Sequence, residues 1–160
     1  MTGLLTEALR ARIGETATYT APEQIGLAAG RYFALAVGDA NPLYRTPVDG
    51  VGPVVPPSWL METNSYADVP IDADGFAGHS WHLDVPDARL VRGGHSYRWT
   101  RDVLPSDVVT ATWSLQDMVE RTTRTGAAML VVTSACRYTA ADSDPICEQT
   151  EDLVFVALAT

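Results

Sequence analysis

The chain has 160 residues, 46% of them hydrophobic, which suits one domain with a sizeable buried core. Its formal net charge is −9 and all eleven basic residues are arginines, which excludes nucleic acid as an expected partner because phosphate binding needs a positive field. No apolar run approaches the roughly 20 residues that cross a bilayer, and the first dozen residues lack the features of a signal peptide. We therefore expect one cytoplasmic domain over residues 1–160 with no membrane partner, and two buried thiols, Cys136 and Cys147, rather than a disulfide.

The first third of the chain predicts a strand and a helix. Residues 16–20, "TATYT", have the composition of a short strand. Thr20 and Pro22 then resemble an N-cap and a first-turn proline, and the apolar residues through Val37 follow a helical period. Gly38 is a natural stop, so the residues from Asp39 onward are expected on a turn directly after the helix.

A second helix and four strands are predicted from the remaining chain. Residues 58–69 follow a proline- and glycine-rich connection and form a candidate helix that Ser58 could cap. The strand-like runs are residues 90–103, 108–122, 127–140 and 146–158. Their short connections predict antiparallel meander pairing, so that five strands form one sheet with one or two helices packed on a face.

Two groups of histidines are candidates for chemistry. Period-two alternation places His95, Tyr97 and Trp99 on one face of a strand, with Gly93 and Gly94 before them. The glycines would allow a ligand to approach the backbone or would form a β-bulge, and His95 could equally be a hydrogen-bonded core residue. His79 and His82 lie in a predicted loop without an obvious third ligand, so we expect no metal site, and no motif calls for a cofactor.

The turn after the first helix is the other candidate site. Nucleophile elbows, phosphate loops and dinucleotide fingerprints are absent from the chain. By elimination, Asp39, Asn41 and Tyr44 remain, and their types fit either an acid–base site or an ordinary structural turn.

Residues 32–44, "YFALAVGDANPLY", resemble the signature of the MaoC-like thioester hydratases and dehydratases. That signature is a small residue followed by G-D-x-N-P, an apolar residue and a histidine, and it comes after a helix. Here Tyr44 occupies the histidine position. Residues 54–61 resemble the family's entry to its hot-dog helix, and the chain is closest to the N-terminal, FAS1-type dehydratase domain subtype.

The resemblance implies a fold, a ligand and roles for named residues. The fold would be the α+β hot-dog fold, a curled antiparallel sheet of about five strands wrapped around a central helix. The ligand would be an enoyl or 3-hydroxyacyl thioester of coenzyme A or an acyl carrier protein, held where two hot-dog chains meet in a homodimer or heterodimer. Asp39 would be the general acid/base and Asn41 its orienter, while the backbone of Pro57, Ser58 and Trp59 would hold the thioester oxygen, with the latter two as N–H donors.

Tyr44 changes what this site can do. A tyrosine with an ordinary pKa of about 10 is only about 0.1% phenolate at pH 7, which as a general base would cost roughly 4 kcal/mol. As a hydrogen-bond donor it would lose nothing. We therefore expect His95 to be the replacement base, with Asp39 orienting it.

Three functions remain open at this point. The first is hydration or dehydration of the thioester, in which Arg92, Arg98 or Arg101 could contact ligand phosphates. The second is conjugate addition of another nucleophile, or thioester hydrolysis. The third is a non-catalytic, substrate-holding subunit of a heterodimeric dehydratase.

Overall fold

The computed structural model describes residues 3–47, 50, 52–62, 66–71, 73, 75 and 77–158. This part of the chain contains five strands and two α-helices. In order they are α1 (Glu7–Arg10), β1 (Thr16–Thr20), α2 (Leu27–Ala36), β2 (Ala88–Trp99), β3 (Thr110–Thr122), β4 (Ala128–Thr139) and β5 (Pro145–Ala157). Short 3₁₀ helices lie at Pro42–Tyr44, Pro57–Glu62 and Ala141–Ser143. Among these elements, no helix combines the length and the apolar character that a bilayer crossing requires.

The strands form one antiparallel sheet in the order β1-β3-β4-β5-β2. The five predicted strands are therefore confirmed, and β3, β4 and β5 form the predicted meander. The meander prediction is wrong for β2, which pairs with β5 at the edge of the sheet rather than with β3. Residues 100–109 connect β2 to β3 across the sheet. This segment is held by a hydrogen bond in which the Val55 N–H donates to Val103 O at 2.8 Å. A connection of this length can cross the sheet because the sheet is curled.

Alternation along the strands separates a core face from an outer face. On β4 the buried residues are every second one, namely Leu130, Val132, Ser134, Cys136 and Tyr138. Apart from Ser134, these residues belong to one hydrophobic core with Trp113 and Leu115 of β3. Cys136 and Cys147 are both buried free thiols, as predicted, and burial raises their pKa values to about 12 and about 11.

Helix α2 begins later than the sequence predicts. Its N-cap is Gly26, because residues 21–26 are held in an extended path against the segment before β3. Ala21 N–H donates to Val109 O, and Ile25 N–H donates to Asp107 O. These tertiary hydrogen bonds override the local N-cap signal of Thr20 and Pro22.

The second predicted helix is a short 3₁₀ helix, Pro57–Glu62, in the described residues, while residues 63–65 lie outside them. An aromatic cluster covers the core face beside it, consisting of Tyr19, Tyr66, His79, Trp81 and Trp113. Trp81 anchors the cluster to the sheet by donating its indole N–H to Ser134 Oγ at 2.9 Å.

Candidate active site

The turn that holds Asp39 is built by the end of α2. Gly38 has a φ of +72°, which glycine adopts without strain. Its N–H donates to Leu35 O, and the Asp39 N–H donates to Ala34 O at 2.8 Å. This pair of hydrogen bonds is a Schellman motif, and it places Asp39 immediately outside the helix.

Two consecutive Asx turns follow the end of α2. Asp39 Oδ1 accepts from the Asn41 N–H at 3.0 Å, and Asn41 Oδ1 accepts from the Leu43 N–H at 3.1 Å. Both side chains are exposed. The Asp39 carboxylate is thus held in place by the backbone through one oxygen while remaining open to a ligand.

Tyr44 is buried, in contrast to Asp39. Its residue is only 8% exposed and packs in a small second core with Ala34 and Val54, against Leu43. The ring therefore packs between α2 and the segment that leads into the 3₁₀ helix Pro57–Glu62. Among the described residues, none hydrogen-bonds the Tyr44 hydroxyl.

The segment predicted to hold a thioester oxygen follows directly. Val54 N–H donates to Leu43 O at 3.0 Å, and a Cβ at Gly30 of α2 would meet Val55 Cγ2 at 3.0 Å, so this segment lies tightly against the helix. The Trp59 N–H donates to Pro56 O at 2.9 Å, so it is not free to serve as the predicted donor. Ser58 is exposed at the start of the 3₁₀ helix, and its N–H remains the candidate.

Strand β2 contains the predicted bulge and the predicted aromatic face. The register with β5 shifts between Arg92 and Gly94, and a Cβ at Gly93 would lie 2.9 Å from Asp152 O. Beyond the bulge, His95, Tyr97 and Trp99 form an aromatic ladder, with ring centroids 6.0 and 6.3 Å apart and interplanar angles of 3° and 26°. The bulge requires glycine at Gly93 because two backbones approach too closely for a side chain.

His95 contacts two residues of β5. Its Nδ1 lies 3.1 Å from Gln149 Nε2, and its Nε2 lies 3.7 Å from Glu151 Oε1. The His95 side chain is 28% exposed and that of Glu151 only 12%. Glu151 Oε1 also accepts from Arg92 Nη1 at 3.2 Å.

Gln149 connects His95 to the protein interior. The Tyr138 hydroxyl donates to Gln149 Oε1 at 2.8 Å, and the Trp113 indole N–H donates to the Tyr66 hydroxyl at 2.8 Å.

The three arginines considered as phosphate contacts differ in their environments. Arg101 binds Asp107 in a bidentate pair at 2.9 and 3.1 Å and Asp144 at 2.7 Å, so its role here is structural. Arg92 pairs with Glu151. Arg98 is the most exposed, with 86% of its side chain accessible and Glu148 at 3.9 Å.

The predicted residues form two groups rather than one. Asp39, Asn41 and Tyr44 share the turn after α2, whereas His95 and the two glycines lie on β2. Within the described residues, Asp39 and His95 share no hydrogen bond or ion pair, so the expected orienting of His95 by Asp39 is not seen.

Sequence reasoning missed the residues that do contact His95. Gln149 and Glu151 alternate in "CEQTED" with the period of a strand face, which is the only signal they give. Their proximity to His95 depends on the β2–β5 register. The described residues also contain no group of three or more His, Cys, Asp or Glu that could hold a metal ion.

Comparison with known proteins identifies the family. The model of the FAS1-like, dehydratase domain region matches residues 11–149. The chain belongs to this MaoC-like hot-dog family. No curated protein sequence matches the chain.

Solved structures share the fold at low sequence identity. The ChsH1–ChsH2 complex from Mycobacterium tuberculosis has a chain with a TM-score of 0.71 at 16% identity, covering 90% of this chain and 85% of that one. A chain of the HadBC (3R-hydroxyacyl-ACP dehydratase) complex from the same organism has a TM-score of 0.58 at 21% identity, covering 88% of this chain and 96% of that one. The (R)-hydratase from A. caviae involved in PHA biosynthesis has a TM-score of 0.57 at 18% identity, covering 92% of this chain and 96% of that one.

Proposed function

We propose that this protein hydrates an enoyl thioester, or dehydrates a 3-hydroxyacyl thioester, of coenzyme A or an acyl carrier protein. The observation behind this proposal is the exposed Asp39 carboxylate, held on the Schellman-capped turn at the family's G-D-x-N-P motif. The family match supports the reaction class, as do two structural relatives described as a hydratase and a dehydratase.

In the hydration direction, the proposed chemistry needs one base, one acid and a site for negative charge. Asp39 accepts a proton from water as the water oxygen bonds to the β-carbon, and it returns a proton to the α-carbon. Charge that develops on the thioester oxygen is stabilised by N–H or O–H donors, with the Ser58 N–H as the backbone candidate. Tyr44 would serve as a hydrogen-bond donor through its phenolic O–H.

The test is turnover of a crotonyl thioester, followed by loss of the enoyl absorbance and by mass spectrometry of the product. We expect water addition by the wild type and a loss of at least about a hundredfold in Asp39→Asn. Asp102→Asn, an exposed carboxylate outside the turn, is the matched control and should retain activity. A product carrying another nucleophile, or the free acid, would indicate the alternative chemistries and contradict this proposal.

The burial of Tyr44 favours a second candidate, a non-catalytic subunit that holds substrate for another hot-dog chain. In that assembly the partner would supply the complete aspartate–histidine pair. The open edge of β2 provides a place for such a partner, because Leu90 is 55% exposed and Val91 40% exposed there. This candidate predicts thioester binding with no turnover by the chain alone, and turnover that is unaffected by Asp39→Asn once a catalytic partner is added.

A further inference from the structure

The segment between β2 and β3 holds the beginning of α2. The Ile25 N–H donates to Asp107 O at 3.0 Å, and the Gly26 N–H donates to Pro105 O at 2.8 Å. Gly26 is the N-cap of α2 and has no side chain to cap the helix, so these two backbone hydrogen bonds fix where the helix begins. Because α2 is regular over ten residues, its two ends move together, and its far end places Asp39.

The same segment also holds the chain just before Ser58. The Val55 N–H donates to Val103 O at 2.8 Å, and the two residues are only 1% and 0% exposed. The 3₁₀ helix that contains the Ser58 N–H begins shortly afterwards, at Pro57. Residues 103–107, which we call the crossover support, therefore hold both the helix before the proposed general acid/base and the segment before the proposed donor to the thioester oxygen.

The conformation of the crossover support depends on Asp107. Its Oδ2 accepts from the Leu104 N–H at 2.8 Å, and its own N–H donates to Leu104 O at 3.0 Å, which closes the segment into a tight turn. Arg101 binds the same carboxylate through two guanidinium nitrogens, with Nη1 2.9 Å from Oδ2 and Nη2 3.1 Å from Oδ1. The Asp107 side chain is only 7% exposed, so its charge needs this partner.

Arg101 also makes contacts on the side away from this turn. Its Nε donates to Asp144 Oδ2 at 2.7 Å, and its Nη1 donates to Asp102 O at 2.7 Å. The Asp144 side chain is 54% exposed, so water screens this ion pair, whereas the pair with Asp107 is largely shielded from water. The two carboxylates provide a comparison around one guanidinium group, because only Asp107 belongs to the crossover support.

We propose that Arg101 and Asp107 are positioning residues of the candidate active site. Their ion pair holds the crossover support in the arrangement that sets the position of the Asp39 carboxylate relative to the Ser58 N–H. The positioning can be measured without a substrate, whereas its consequence for turnover rests on the proposed function. A misplacement of catalytic groups by about 1 Å can cost about a hundredfold in rate, so loosening the crossover support should lower turnover.

Amide hydrogen exchange followed by NMR tests the positioning without a substrate. Asp107→Asn removes the negative charge of the buried pair, so we expect the Gly26 and Val55 amides, which donate to the crossover support, to exchange at least about tenfold faster than in the wild type. The amide of Val132, a buried residue of the central strand β4, reports global unfolding and is the internal reference. Equal acceleration of all three amides would reduce the effect to overall stability and overturn the proposal.

Two further variants complete this experiment. Asp144→Asn is the matched control, because it removes the exposed contact of Arg101 and leaves the buried pair intact, and its Gly26 and Val55 amides should exchange within about twofold of the wild type. Arg101→Lys keeps a positive charge beside Asp107 but cannot form the bidentate contact, so it should accelerate both amides and also serves if Asp107→Asn does not fold. A folded test variant with wild-type exchange at both amides would contradict the positioning role.

Turnover of the crotonyl thioester then measures the consequence for the proposed reaction. In Asp107→Asn and Arg101→Lys we expect kcat to fall at least about tenfold while KM changes less than about threefold, because displaced catalytic groups weaken transition-state stabilisation more than substrate binding. Asp144→Asn should keep kcat within about twofold of the wild type. A loss that matches only the fraction of unfolded protein, measured by circular dichroism, would overturn the catalytic consequence. If the wild type turned over no thioester, the proposed function would fail, while hydrogen exchange would still decide the positioning.

Discussion

At the scale of single residues, Tyr44 combines a packing role that the structure shows with a chemical role that we propose. The ring is 8% exposed between Ala34 and Val54. We expect Tyr44→Ala to lower the free energy of unfolding by about 3 kcal/mol, because removing a buried aromatic ring leaves a cavity. Tyr44→Phe keeps the ring and should change it by less than about 1 kcal/mol in urea denaturation.

Turnover of the same Tyr44→Phe variant then measures the contribution of the hydroxyl to catalysis. If that hydroxyl donates a hydrogen bond to the thioester or the leaving water, turnover should fall about ten- to a hundredfold at nearly unchanged stability. Wild-type turnover in Tyr44→Phe would limit Tyr44 to packing.

Gly93 provides a matched pair of substitutions with its neighbour. A Cβ at Gly93 would lie 2.9 Å from Asp152 O and 3.1 Å from Asp152 Cβ, whereas a Cβ at Gly94 would meet nothing within 4 Å. We expect Gly93→Ala to destabilise the protein by about 1–3 kcal/mol, since the strand pair must shift, and Gly94→Ala to stay within about 0.5 kcal/mol. Urea denaturation checks both variants, and equal losses would contradict the close approach of β2 and β5 at Gly93.

At the scale of elements, the aromatic cluster around His79 should make stability depend on pH. Burial, with a smaller effect from nearby His82, lowers the pKa of His79 to about 4. Its Nδ1 lies 2.9 Å from the Tyr19 hydroxyl, and its Nε2 is buried without a hydrogen-bond partner in the described residues. The folded protein therefore favours the neutral ring.

The sign of this pH dependence follows from the protonation of His79 in the folded and the unfolded chain. Between about pH 6.5 and 4 the unfolded chain binds a proton at His79 that the folded chain does not, so the free energy of unfolding falls as pH falls. Below about pH 4 both states are protonated and the loss is complete. We expect a loss of the order of 1–2 kcal/mol, reduced from the ideal value because solvent reaches part of the ring.

Chemical denaturation at about pH 7 and pH 4.5 measures this contribution. Carboxylates titrate in the same range, so the informative quantity is the difference between wild type and His79→Gln, which should show a shallower decline. His82→Gln, at an exposed position, should decline like the wild type. Parallel declines of wild type and His79→Gln would contradict the prediction.

At the scale of the whole molecule, the open edge of β2 predicts self-association or pairing with a second hot-dog chain. An exposed edge strand with apolar side chains is a template for further strand pairing. We expect the wild type to elute as a dimer at micromolar concentration and Leu90→Lys to shift toward the monomer. Ile71→Lys, at a residue that is 70% exposed but outside β2, should not change the elution volume. A monomeric wild type would favour the heterodimer, with a different chain covering the edge.

Much of the fold was predictable from the sequence because its signals are local. Alternation identified the strands and placed His95, Tyr97 and Trp99 on one face, and the glycine at 38 marked the end of α2. The same kind of signal was wrong where distant contacts were stronger. The start of α2 moved to Leu27 because the preceding residues hydrogen-bond to the segment before β3.

In the candidate site, too, some features follow from the local sequence and others from tertiary contacts. The sequence by itself determined the Asp39–Asn41 turn, since each of its hydrogen bonds joins residues within five positions of one another, and it determined that Tyr44 replaces a histidine. Only the tertiary structure decided which residues contact His95, because Gln149 is 54 positions away and meets it through a bulged strand register. The buried hydrogen bond from the Tyr138 hydroxyl to Gln149 Oε1 likewise joins β4 to β5, and no local pattern encodes it.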